Sequence, residues 1–369
     1  MKFAILGETP ETIPIAEALI NSEQHSVTHV VGVDDDSQLF SLLPGAKRIP
    51  EWEALLADES VDAVLVSGNE DRALPPCRQI AGTGRPLIVV PSHGLTSAFA
   101  YELSLVRDEN LVPLYPVLAH RLDPATRTAK DMLTAERIGK IVQVRLERTI
   151  TTPDNLLQAK RDVETWLQPD ADMLRWLAGA FTQVTALYQG KTDAGFANCT
   201  VNLAGESATD SSWVLSTGPQ LQWKLTASGT DGTLTLQHAG GSSSLSLDGN
   251  PVTLPNGQTE TTPTDWLTSL PESVSTFLTG ASQAEQAAAW TDFTRSHEIV
   301  DSHRRSIKRR RTIDMHFETL SERSQFKTQM AAIGCGVLTY NPVRNGSVPG
   351  RRRRVRAGKR RARSGSQSL

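Results

Sequence analysis

The chain has 369 residues, too many for one small domain at roughly 150 residues per domain. Its 38% apolar and 21% charged content, with a formal net charge of −3, supplies material for packed cores and excludes a wholly disordered polymer. Three widely separated cysteines, Cys77, Cys199 and Cys335, exclude a disulfide-stapled scaffold and a paired-cysteine zinc site, and they fit a reducing, cytoplasmic compartment.

In chain order, the apolar run Phe3 to Leu6 is too short for a signal-peptide core and is followed at once by Glu8 and Glu11, so no export is expected. From Lys2 to Val144 short β-branched runs alternate with helical stretches: FAILG, PETIPIAEALI, VTHVVGV, EWEALLAD, VDAVLVS, LPPCRQIAGTG, PLIVV, SAFAYELSLVRDEN and LVPLYPV. Nearly continuous apolar strands separated by helices are what a parallel sheet covered on both faces requires, which predicts a doubly wound α/β domain. A helix over Pro124 to Ala135 follows, and then the texture changes. IVQVRLERT, FTQVTALYQ, NCTVNLAGE, SSWVLST, QLQWKLTASG, GTLTLQH and SSLSLDG alternate inward and outward residues between Gly, Asp and Ser turns. They predict a mostly antiparallel sheet with one open face, in an α+β region containing helices over Asp162 to Leu177 and Glu285 to Arg305.

The organisation expected is therefore a Rossmann-type nucleotide-binding domain over 1–120, a second domain over 121–318, and a tail over 319–369 that is Arg-rich and disordered from 343. The run Arg351 to Arg363 contains no acid, which leaves the rest of the chain markedly acidic. Its plain reading is a solvated tail. A foothold on nucleic acid or an acidic partner is the lesser alternative, because no aromatic residue interleaves the arginines to stack on bases. The apolar-leaning stretch Met330 to Leu338 is about half of the ~20 residues needed to span a bilayer.

Where a dinucleotide domain carries G-x-G-x-x-G after its first strand, this chain has Gly7, Thr9 and Thr12. Pro10 offers no N–H, and Glu8 and Glu11 place negative charge where a diphosphate would sit. Read without a ligand, Thr9 caps a helix that has Pro10 at its first position. Asp34 closes the second strand 34 − 12 = 22 positions after Thr12. A carboxylate there suits a free ribose 2′-hydroxyl and repels a 2′-phosphate, favouring NAD over NADP; the alternative is a turn-forming aspartate. His120 and Arg121 follow the sixth strand, on the face where such sheets bind ligands, as substrate contacts or as a pair exposed to water. No G-x-S-x-G, Walker loop or H-E-x-x-H is present, and no metal site is expected.

The order of VGVDD, GRPLIVVPSHGLTSAFAYEL, RLDPATRTAKDMLTAERIGKIVQVRL, DADMLRWLAGAFTQVTAL, GTDGTLTLQ and EIVDSHRRSIKRRRTIDM resembles the Gfo/Idh/MocA oxidoreductases over residues 1 to 318. The resemblance implies an NAD(P)-dependent enzyme acting on a sugar or polyol, with a Rossmann domain and an open-faced sheet that joins subunits into a homo-oligomer. It also implies a lysine in a Glu-Lys-Pro triplet and a histidine acting as proton acceptor. Here the corresponding residues are Pro91 and Pro169. Alcohol oxidation needs a base for the hydroxyl proton. His93, two positions past Pro91, and Asp172, with Asp170 beside it, are the candidate substitutes; as alternatives, His93 is an ordinary loop residue and the aspartates are helix N-terminal carboxylates. The competing reading is a non-catalytic binding or assembly module on the same fold.

Overall fold

The structure, a computed structural model, describes residues 1–190, 195–205, 209–255, 257–262 and 264–315. The Arg-rich tail and the disorder expected from 343 lie outside the described residues.

The first sheet is built from β1 (Lys2–Leu6), β2 (Ser26–Val31), β3 (Lys47–Ile49), β4 (Ala63–Val66), β5 (Leu87–Val89) and β6 (Leu114–Pro116). Between them run α1 (Thr12–Asn21), α2 (Gln38–Leu42), α3 (Glu70–Gly82) and α4 (Ser97–Asn110). All pairs are parallel and the order is β3-β2-β1-β4-β5-β6. Phe3 to Leu6 and Ala63 to Val66 are buried throughout, as strands covered on both faces must be. The order reverses between β1 and β4, and at such a reversal the loops diverge and leave a crevice beyond the carboxyl ends of the strands.

A short helix α5 (Ala119–Leu122) and α6 (Pro124–Thr134) lead to the second sheet. Asp123 caps α6 by accepting from the Thr126 N–H, with Pro124 in its first turn. The sheet comprises β7 (Ile141–Ile150), β8 (Phe181–Gln189), β9 (Asn198–Gly205), β10 (Asp210–Thr217), β11 (Gln222–Gly229), β12 (Thr233–Ala239), β13 (Ser242–Leu247) and the short β14 (Asn250–Pro251), β15 (Glu260–Thr261) and β16 (Ile313–Asp314). It is antiparallel except where β7 pairs with β10. In β7, Val144, Leu146 and Arg148 point inward while Gln143, Arg145 and Glu147 face out, so the predicted alternation and open face are both present. The inner face packs on α7 (Leu156–Ala178) through Val163, Leu167 and Leu174. This helix begins six residues before the expected Asp162, capped by Asn155, whose side chain accepts from the Gln158 N–H.

Two closing helices, α8 (Asp265–Gly280) and α9 (Gln283–Arg309), return to the first sheet. Leu270 and Val274 of α8 join the core formed by Ile5, Ile15 and Leu19. Trp290 and Phe293 of α9 join the opposite core with Cys77, Phe99 and Leu103, whereas Ile299 and Val300 join the core of the second sheet. The segment expected as a separate domain thus contributes two helices to the first core. Trp290 donates to the Ala100 carbonyl at 2.9 Å and to Ser104 at 3.0 Å, so its polar edge is satisfied while its ring is buried. Among the described residues, no helix is long and apolar enough to cross a membrane.

The same helix carries two buried histidines. Burial pushes His297 and His303 down to about 4, against slight opposition from the Phe293 carbonyl and the Glu164 charge respectively. Because the unfolded chain takes up these protons first, below about 6.5, stability is full above that pH and is lost as pH falls towards about 4. Chemical denaturation from pH 8 to 4 should show this loss, and a His297→Gln, His303→Gln double variant should flatten it. Trp290→Ala should cost about 3–5 kcal/mol in the same measurement at neutral pH.

Candidate functional site

The crevice at the strand-order reversal is a cleft of about 920 Å³, near the top of the usual range for small-molecule sites. Gly7 ends β1 with φ +76°, and a Cβ there would lie 2.3 Å from the Ser67 carbonyl oxygen, so β1 and β4 approach closely only because this position is glycine. The loop after it departs from the expected cap. Thr9 does not cap α1: its N–H donates to Thr12 Oγ1 at 2.8 Å and its carbonyl accepts from the Thr12 N–H at 2.9 Å. Pro10 is exposed in the turn, and α1 starts at Thr12 behind Glu11, which makes no side-chain cap bond. Thr12 is fully buried and donates to Ser67 Oγ at 2.8 Å; expected as a cofactor contact, it instead fastens the loop from behind and does not reach the cleft.

The cleft gathers Gly7, Glu8, Thr9 and Asp34 with Ser92 and His93. Asp34 is exposed just beyond β2, and its neighbour Asp35 pairs with Arg48 of β3. His93 stands exposed on the loop after β5. That loop is held by Ser92, which donates to the Gly68 carbonyl at 2.6 Å, and by the close seating of Gly94 on Asn69. Three of the four expected cofactor residues and the histidine therefore open on one space. Trp52, Asn69 and Arg72 line it too and were missed by sequence reasoning. For Asn69 and Arg72 a signal existed in Ser67-Gly68-Asn69, a turn between an apolar strand and a helix at the position where β4 must end.

The other expected site residues lie elsewhere. Asp170 and Asp172 are buried in the middle of α7, not at its N-terminus, with Pro169 inside the same helix. Both Asp172 oxygens accept from Arg121, at 2.9 Å from Nε and 2.6 Å from Nη2, so the residue expected as a substitute base is locked in a bidentate ion pair. Arg121 also donates from Nη1 to Asp292 at 2.8 Å and lies over the Trp176 ring, which leaves it spent as an anion contact. His120 and Arg121 sit on α5 and do not end a strand. His120 faces Asp170 at 3.4 Å and the Trp223 ring, and neither residue reaches the cleft.

Asp170 also accepts from Arg148 Nε at 2.8 Å and Nη2 at 2.6 Å, and from Trp213 Nε1 at 2.7 Å. Burial alone would raise its carboxyl. The Arg148 charge and the hydrogen bonds from His120 and Arg148 outweigh burial and hold it well below the ordinary carboxylate range. A group so firmly ionised does not take up a proton near neutral pH. Arg148 in turn lies under Trp166, 4.3 Å from the ring centroid. These groups join α5, α7, β7 and β10. Among the described residues, no group of three or more histidine, cysteine, aspartate or glutamate side chains could hold a metal ion. Asp170→Ala, which strands the buried Arg148 charge, should destabilise the fold by about 3–5 kcal/mol in equilibrium unfolding.

Comparison with known proteins gives fold-level relatives. No family model matches the chain, and no curated protein matches it by sequence. An oxidoreductase from Agrobacterium radiobacter, solved in complex with NAD+, L-tartaric acid and magnesium, superposes with a TM-score of 0.68 at 17% identity, covering 85% of this chain and 98% of its own. GenD2 from gentamicin A biosynthesis, solved in complex with NAD, gives 0.69 at 19% identity, covering 86% of this chain and 97% of its own. A myo-inositol 2-dehydrogenase from Lactobacillus plantarum gives 0.66 at 15% identity, covering 86% and 99%. The parallel sheet, the open-faced sheet and the returning helices thus form the two-sheet fold of these oxidoreductases.

Proposed function

We propose that this chain belongs to the Gfo/Idh/MocA oxidoreductases and binds a dinucleotide, NAD in preference to NADP, in the cleft between Gly7 and His93. The observation that carries the reading is convergence: Gly7, Thr9, Asp34 and His93, far apart in sequence, open on one cleft at the strand-order reversal. Two of the solved relatives hold NAD, which supports the same ligand here. Asp34 would receive the adenosine ribose hydroxyls and disfavour a 2′-phosphate. A sugar or polyol would lie beyond the nicotinamide end, where His93 is the candidate to accept the hydroxyl proton during hydride transfer. The cytoplasm is the proposed compartment, and pairing of copies through the open face of the second sheet is the proposed assembly.

A second reading is favoured by a specific observation. Asp172, Asp170 and Arg121 are closed into ion pairs, and prolines stand at 91 and 169 where the family's lysine and histidine would be. On that reading the nucleotide site persists without turnover. Calorimetric titration tests the nucleotide site that both readings share, and a turnover assay on polyols separates them: NAD should bind in the micromolar to millimolar range, and absence of binding by both NAD and NADP at millimolar concentration would remove the nucleotide site. Asp34→Ala should weaken NAD and narrow its advantage over NADP. If polyol oxidation is observed, His93→Ala should lower kcat by about 10²- to 10⁴-fold; an unchanged rate would take the proton-acceptor role away from His93.

A further inference from the structure

Resting on the proposal that the cleft holds a dinucleotide, we propose that Arg72 is the group that binds its diphosphate, in place of the backbone cradle that this loop has lost. The usual cradle consists of free N–H groups at a glycine-rich turn and the following helix N-terminus. Here the Gly7 N–H donates to the Val31 carbonyl, the Thr9 N–H to Thr12 Oγ1, and the Thr12 N–H to the Thr9 carbonyl. Pro10 and Pro14 have none to give. Glu8, which lines the cleft beside Gly7, adds a negative charge facing the same space, and Asp34 and Asp36 add two more. An anion entering this cleft meets three carboxylates, and the Gly7, Thr9 and Thr12 N–H groups of the turn are already taken.

Among the described residues lining the cleft, Arg72 is the one lysine or arginine. It sits in the first turn of α3, where its backbone N–H donates to Asn69 Oδ1 at 3.2 Å, so its origin is fixed while its side chain is exposed. Among the described residues it forms no ion pair, unlike Arg48, paired with Asp35, and Arg78, paired with Glu102. The neighbouring acid Glu70 accepts from Thr96. A guanidinium held at its base and unpaired at its tip can meet two phosphate oxygens at once and offset Glu8.

The test is calorimetric titration of the full chain with NAD+, ADP and adenosine, for the wild type, Arg72→Ala and Arg72→Lys. Arg72→Ala should weaken NAD+ and ADP by about 10- to 100-fold, the scale of a lost charge-assisted pair. Adenosine, which has no phosphate, should change less than about twofold. Arg72→Lys should recover part of the loss, and the salt dependence of NAD+ binding should flatten in the alanine variant. Wild-type binding of NAD+ with no loss in Arg72→Ala would overturn the role of Arg72 and leave the nucleotide site standing. An equal loss for adenosine would place Arg72 at the nucleoside and would overturn the diphosphate assignment. Binding of none of the three ligands by the wild type would overturn the cleft reading together with this one.

Discussion

The structure depends on one helix that is buried at both ends against different partners. Trp290 and Phe293 of α9 complete the core under the parallel sheet, and two turns later Ile299 and Val300 complete the core under the antiparallel one. Each sheet takes large apolar side chains from this strut into its core, so opening either end exposes them. Arg304, which clasps Glu164 of α7 at 2.7 and 2.9 Å, fixes the far end of the strut against the second sheet. The crevice of the first sheet is thereby held by a frame that runs well beyond the nucleotide-type fold itself.

Charges in this molecule divide into two populations with different physical roles. Asp170, Asp172, Arg121 and Arg148 are buried or nearly so, and each is neutralised by partners close enough to offset the cost of leaving water. Such groups specify packing and have no capacity left for a substrate. Glu8, Asp34, Asp36, Arg72 and His93 border an open cleft, where a ligand can still be met. Of the two populations, the second is the one that opens on the cleft. The aspartates of α7 are thereby closed to a ligand, while a loop histidine and an arginine of α3 face the cleft.

Much of the architecture was legible in the sequence because burial leaves a pattern. Continuous apolar runs announced strands covered on both faces, and the alternation in IVQVRLERT announced a sheet with one open face. Asp34 and Gly7 were legible for the same kind of reason: a strand end and a tight turn leave local marks. The helix starts were less so. Thr9 looked like a cap, but Thr12 took its N–H and began the helix itself, a choice made by Ser67 arriving from another strand. In the sequence Asp170 and Asp172 read as helix N-terminal carboxylates favoured by the dipole, yet α7 starts at Leu156 and runs through Pro169. Burial of Val163, Leu167, Ala171 and Leu174 in the core of the second sheet outweighs the single backbone hydrogen bond that the proline removes.

The sequence by itself determined the two kinds of sheet, the order of elements and the loss of the glycine-rich cradle, since each depends on residues adjacent in the chain. Only the tertiary structure decided which charged groups are spent and which remain free. Arg121 meets Asp172 and Asp292 across separations of 51 and 171 residues, whereas among the described residues Arg72 forms no ion pair while lining the same cleft as Glu8. Electrostatic pairing acts over a few ångströms in space and is indifferent to distance along the chain, so no local pattern records it.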